Sequence, residues 1–133
     1  MTFFSVFKKT RKHYVIVFND NKKTTGVLLN QAPVNAQVAL IAHELAHLTD
    51  FKKRDFLGMA SWGINYLSVK QRAKIEKSAD EMVIKRGLGI ELYGWIDFVL
   101  NQSTATKQYL QMKTKRYLSP VMVLAEMKKI KKK

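Results

Sequence analysis

His43-Glu44-Leu45-Ala46-His47 is the stretch on which the reading of this chain turns. Residues four apart on an α-helix share a face, so His43 and His47 can aim their imidazoles at one metal ion. Glu44 lies about 100° round the helix from His43, where its carboxylate reaches a water activated by the metal without occupying a coordination position. That is the pattern of a metal-activated hydrolase, with Zn2+ the expected ion. Two donors are not enough, because a catalytic zinc is held by three protein ligands and keeps one position open.

The chain has few residues to supply the third ligand. It contains no cysteine, and its one other histidine is His13, in a basic stretch well upstream. The positions after His47 read Leu48-Thr49-Asp50-Phe51-Lys52-Lys53, without the glycine and third histidine of an extended HExxHxxGxxH motif. Further on comes Glu76-Lys77-Ser78-Ala79-Asp80, in a segment whose Ile75, Ala79, Met82 and Val83 repeat at helical spacing. Glu76 and Asp80 then share a face. Glu76 is the expected third ligand, and Asp80 is placed to accept a hydrogen bond from a ligating imidazole and fix its orientation. Asp50 is the stronger rival, three residues past His47 on a continuing helix, but its short side chain points further along the axis than a tetrahedral site wants.

These two elements together resemble the gluzincins, zinc peptidases that carry HExxH on one helix and an ExxxD or ExxAD element on a later one. His43, Glu44 and His47 match the first element, and Glu76, Ala79 and Asp80 the second, as in the HtpX and CAAX-protease type. The short ImmA/IrrE-type peptidases share the pattern and are closer to this chain in size. The resemblance covers about residues 34–87. It implies a zincin-like pair of active-site helices, Zn2+ as cofactor, Glu44 as general base and a peptide or protein as substrate. The chain departs from the membrane-bound branch in lacking its spanning helices, and no transition-state-stabilising residue carries over.

Length and composition set the frame. The 133 residues, 47% of them hydrophobic, suffice for one domain with one core. The absence of cysteine fits a reducing compartment, the apolar Met1–Phe7 stretch is too short for a signal peptide, and no run approaches the ~20 apolar residues of a membrane span, so the expectation is cytoplasmic. The formal net charge is +14, yet 19 of the 24 basic residues are lysine, whereas base reading and phosphate forks favour arginine. No specific nucleic-acid site is expected. Clusters such as Lys8-Lys9, Lys52-Lys53 and residues 128–133 read as solvated faces and tails, with at most non-specific attraction to anionic surfaces.

The expected architecture is α+β, mostly helical, in a single domain over residues 1–133 with a frayed basic tail at 127–133. Tyr14–Phe18 and Thr24–Leu29, joined by the turn residues Asn19-Asp20-Asn21, read as an antiparallel β-hairpin whose second strand, if an edge, could take an extended peptide by strand addition. Pro33 opens the motif helix as its first residue. Val34, Val38, Ile41, Leu45 and Leu48 form one apolar stripe on it and Ala36, Leu40, His43 and His47 another, so it reads as a buried central helix. Gly58 and Gly63 suggest that residues 51–67 are a core-covering loop or a lid at the metal. Ser68-Val69-Lys70-Gln71 resembles a capping box opening the Glu76 helix, which Gly87 and Gly89 end. Three further helices are expected over Ile90–Gln102, Ala105–Tyr117 with a Ser103 or Thr104 cap, and Pro120 to about Lys129 with a Ser119 cap.

Zinc-dependent peptide-bond hydrolysis is therefore the expected function. The donor for the developing oxyanion stays open among Tyr66, Tyr93, Tyr109, Tyr117 and Asn101. A structural zinc protein without catalysis, or a basic module binding polyanions or membrane surfaces, are the alternatives. Oligomeric state is not legible.

Overall fold

A computed structural model describes residues 14–131. Met1–Phe7, Lys8, Lys9 and His13 lie outside the described residues, as do Lys132 and Lys133. Among the described residues six α-helices follow one another: α1 (Val34–Lys52), α2 (Phe56–Leu67), α3 (Val69–Lys85), α4 (Gly89–Asp97), α5 (Lys107–Arg116) and α6 (Pro120–Lys131). A 3-10 turn at Leu29–Gln31 precedes α1, and α4 runs on into a π-helical turn at Phe98–Gln102. The tail expected to fray from residue 127 is helical as far as Lys131.

The fold is helical, not α+β: no strand is present among the described residues. The turn chemistry of Asn19–Asn21 does act, with Lys23 N–H donating to Asn21 Oδ1 at 2.9 Å and Thr24 N–H to the Asn21 carbonyl at 3.0 Å. Among the described residues the two flanking segments form no ladder with each other. The Thr25 carbonyl instead accepts from Thr106 N–H at 3.1 Å, at the start of α5, and Gly26 lies so close to the Tyr109 ring that a Cβ there would come within 2.7 Å of it. The predicted hairpin and its peptide-binding edge are therefore both withdrawn.

The core is built where α1, α3, α4 and α6 meet. Ala36 and Ala39 of α1 pack against Val83 and Ile84 of α3, Leu92, Trp95 and Ile96 of α4, and Val123 of α6. The buried residues of α1 are thus Ala36, Ala39, His43, Ala46 and Phe51, on one face of the helix. The aliphatic stripe is not core: Val34 is 71% exposed and Leu45 49%. Alanine lets helix backbones approach closely, and His43 and, two turns on, Phe51 are the bulky buried side chains among them.

Between the two motif helices lies α2, where a loop or lid is predicted. Asp55 caps it, its carboxylate accepting from Gly58 N–H at 2.7 Å, and its two glycines do not break it. Ser68 precedes α3 without a side-chain cap, so the capping box is not formed. Gly87 ends α3 at φ +88°, and the bonds from Gly87 N–H to the Ile84 carbonyl and from Leu88 N–H to that of Val83 make a Schellman motif. Thr106 rather than Ser103 or Thr104 caps α5, accepting from Tyr109 N–H at 3.3 Å.

The inner face of α1 is testable by urea denaturation. Ala39 has no exposed surface, so Ala39→Leu overpacks the α1 contact and should cost ~1–3 kcal/mol. Leu45→Ala, on the outer stripe, should change stability by no more than about 0.5 kcal/mol. The reverse order would return the aliphatic stripe to the core.

Candidate metal centre

The helical repeat that shapes the core also builds the site. On α1, His43 and His47 stand one turn apart, and on α3 the buried stripe Glu76, Ala79, Asp80, Val83 turns two carboxylates inward. His43, Glu76 and Asp80 are all buried, which requires each to find partners, since an unpaired buried charge is costly.

They find each other. His43 Nε2 and Glu76 Oε2 are 3.0 Å apart, His43 Nε2 and His47 Nε2 3.1 Å, and His47 Nε2 and Glu76 Oε2 3.3 Å. Three ligating atoms from three side chains thus close a small triangle, a group that could hold a metal ion. Both oxygens of Asp80 are acceptors: Oδ2 takes Leu118 N–H at 3.0 Å, and Oδ1 lies 2.8 Å from His43 Nδ1. A carboxylate without a proton can only accept, so His43 carries hydrogen on Nδ1 and turns Nε2 to the triangle. On the other side, Tyr66 O–H donates to Glu76 Oε1 at 2.8 Å, leaving Oε2 to face the imidazoles.

The structure brings together His43, His47, Glu76 and Asp80 as expected from the sequence. Asp50, the rival ligand, is engaged elsewhere by Arg54, whose Nη2 lies 2.8 Å from Asp50 Oδ2. Glu44 is half-buried and lines a pocket beside His43 with Leu40, Trp95, Val99, Lys113 and Tyr117. Of the proposed oxyanion donors, Tyr66 touches Glu76 and Tyr117 lies with its ring centroid 5.6 Å from that of His43. Asn101 is bound instead to Asp97, and Tyr109 to the Gly26 segment.

An aromatic relay from α1 to α2 holds Tyr66 in place. Phe51 stacks on His47, Trp62 meets Phe51 edge-on at 4.6 Å, and Tyr66 stacks on Trp62 at 4.8 Å. Arg72 locks the far side, its guanidinium 4.3 Å above the Tyr66 ring and its Nε donating to the Tyr66 carbonyl at 2.8 Å. The Tyr66–Glu76 bond and the Leu118 tether were not anticipated from the sequence. No motif spacing announces either, although Trp62 and Tyr66 are four residues apart on one helix.

Electrostatics follow from burial. Burial opposes a charge on His43, but the hydrogen bonds with Asp80 and Glu76 outweigh it and raise its pKa to about 9. Burial likewise disfavours the Glu76 carboxylate, and the hydrogen bonds from His43 and His47 overcome this and hold it well below the usual carboxylate range. Burial, reinforced by the Glu76 charge, pushes the Tyr66 hydroxyl far above its ordinary value, so it stays a neutral donor. Without metal, a shared proton keeps the imidazole and carboxylate together.

Comparison with models of known families, with curated proteins and with solved structures finds no match to this chain.

Two outcomes are expected of metal titrations with Zn2+ as the probe. A metal must displace the proton on His43, so below pH 9 affinity should rise with pH by about tenfold per unit for each proton displaced, and level off above it. Competition with a chelator, corrected for the chelator's own protonation, reads this slope, and a flat profile from pH 6.5 to 9 would contradict it. Asp80→Ala should weaken metal binding about 10- to 100-fold, whereas Asp50→Asn should leave it unchanged.

Proposed function

We propose that the triangle of His43, His47 and Glu76 holds Zn2+ and that the protein hydrolyses peptide bonds. One observation carries this reading. Ligands at the zinc–nitrogen and zinc–oxygen distances of a tetrahedral site stand ~3.3–3.4 Å apart, and the three ligating atoms here stand 3.0, 3.1 and 3.3 Å apart. Expansion by a few tenths of an ångström makes the group fit the ion. Two imidazoles and one carboxylate are moreover the donors of a catalytic site with a position left open, where a closed structural site uses four.

Bound zinc would supply Lewis acidity, polarising a carbonyl and making water nucleophilic near neutral pH. The chain's own groups do the rest. Glu44, one residue from His43 and half-buried in the adjoining pocket, accepts the proton of the attacking water and passes it to the leaving amine. Asp80 keeps the His43 lone pair on Nε2, and Tyr66 orients Glu76. Tyr66 also offers a neutral hydroxyl beside the site, which suits an oxyanion donor once substrate draws it from Glu76.

Glu44→Gln preserves shape and removes the proton acceptor. Zinc content should stay near normal while cleavage of a peptide library, followed by mass spectrometry with and without chelator, falls at least ~10²-fold. Activity near wild type would remove Glu44 from the reaction.

A further inference from the structure

The pocket beside the triangle contains a cation that the peptidase reading leaves without a task. Its walls are mainly apolar, with Leu40, Trp95, Ile96, Val99, Leu100 and Leu118 around the edges of His43 and Glu44. Into this surface α5 brings Lys113. Its ammonium lies 3.7 Å from the centroid of the Tyr117 ring, with Tyr109 at 5.7 Å and Trp95 at 6.0 Å. Such ring faces tolerate a cation without neutralising it. Among the described residues Lys113 has no ion-pair partner. Asp80, which lines the same pocket, has its oxygens committed to His43 and Leu118.

Resting on the peptidase reading, we propose that this pocket binds an apolar substrate group that carries a carboxylate, with Lys113 as the carboxylate's partner. A peptide's C-terminus ending in an apolar residue offers both features in one unit: the side chain fills the apolar wall and the α-carboxylate meets the ammonium. An acidic side chain next to an apolar one is the other source of the same chemistry. Burial depresses the Lys113 pKa, and the fields of Glu76, Asp80 and Glu44 act against that depression. An incoming carboxylate works in the same direction as those fields, and a charge-assisted bond in a largely apolar pocket is stronger than one in water.

The test is binding, read by calorimetry on the full chain as purified, with metal content measured on the same samples. N-acetyl-leucine should bind at least tenfold more tightly than N-acetyl-leucinamide, which lacks only the charge. Lys113→Met, which keeps the stem over Tyr117, should reduce that preference to less than twofold, and Lys113→Arg should retain most of it. N-acetyl-glutamyl-leucinamide, which pairs an acidic side chain with an apolar one and has no terminal carboxylate, separates the sources: binding weaker than N-acetyl-leucine assigns the carboxylate to a chain terminus, and equal or tighter binding assigns it to an acidic side chain. Equal affinity for acid and amide in the wild-type protein overturns the proposal whether or not the variants fold. Protein without metal that still prefers the acid keeps the pocket and removes the peptidase reading. Metal-loaded protein with no preference does the opposite.

Discussion

The Asp80 carboxylate is the constraint on which the rest of the structure depends. It is 1% exposed, comes from α3, and accepts one hydrogen bond from His43 on α1 and another from the Leu118 backbone just before α6. A buried carboxylate is tolerated only when its oxygens are satisfied, so this group ties three parts of the chain to one point. The same two bonds set the tautomer of His43 and hence the direction of its free nitrogen. Packing and site chemistry therefore share a single anchor.

From that anchor the site is built outward in two directions. Towards α2, the relay Phe51, Trp62 and Tyr66 converts apolar packing into a hydrogen bond on Glu76, so a helix far from the motif in chemistry still sets the orientation of a ligand. Towards α5 and α6, Tyr117 and Lys113 close the apolar pocket next to Glu44. In the triangle two imidazoles and a carboxylate stand within 3.3 Å of one another, and the carboxylates of Asp80 and Glu76 favour a proton on His43 there. A divalent cation would place two positive charges at the same position.

The four residues His43, His47, Glu76 and Asp80 were legible in the sequence because their pairing within each helix follows from helix geometry. HExxH and ExxAD each put two side chains on one face of one helix, and four residues of spacing survive almost any tertiary context. The fold was less legible where tertiary contacts decide. Val15, Val17 and Phe18 have β propensity, but such propensity is realised only against a neighbouring strand, and the described residues supply none. Gly58 and Gly63 each cost a helix about 1 kcal/mol, a sum that the Asp55 cap and the packing of Trp62 and Tyr66 offset. On α1, Val34, Val38, Ile41 and Leu45 are exposed while Ala36, Ala39 and Ala46 face inward, where α1 packs against α3 and α4. Lys113 is one of 19 lysines, and only its three surrounding rings distinguish it. None of the helices in the described residues is long and apolar enough to cross a membrane.

The central claim is that one metal ion sits among His43, His47 and Glu76. Anomalous diffraction at the zinc edge from crystals grown with Zn2+ tests it most directly. The account predicts a single strong peak within ~2.0–2.2 Å of His43 Nε2, His47 Nε2 and a Glu76 carboxylate oxygen, with His43 Nδ1 still bonded to Asp80. A peak that excludes Glu76, or no peak at the triangle in zinc-replete crystals, would contradict it.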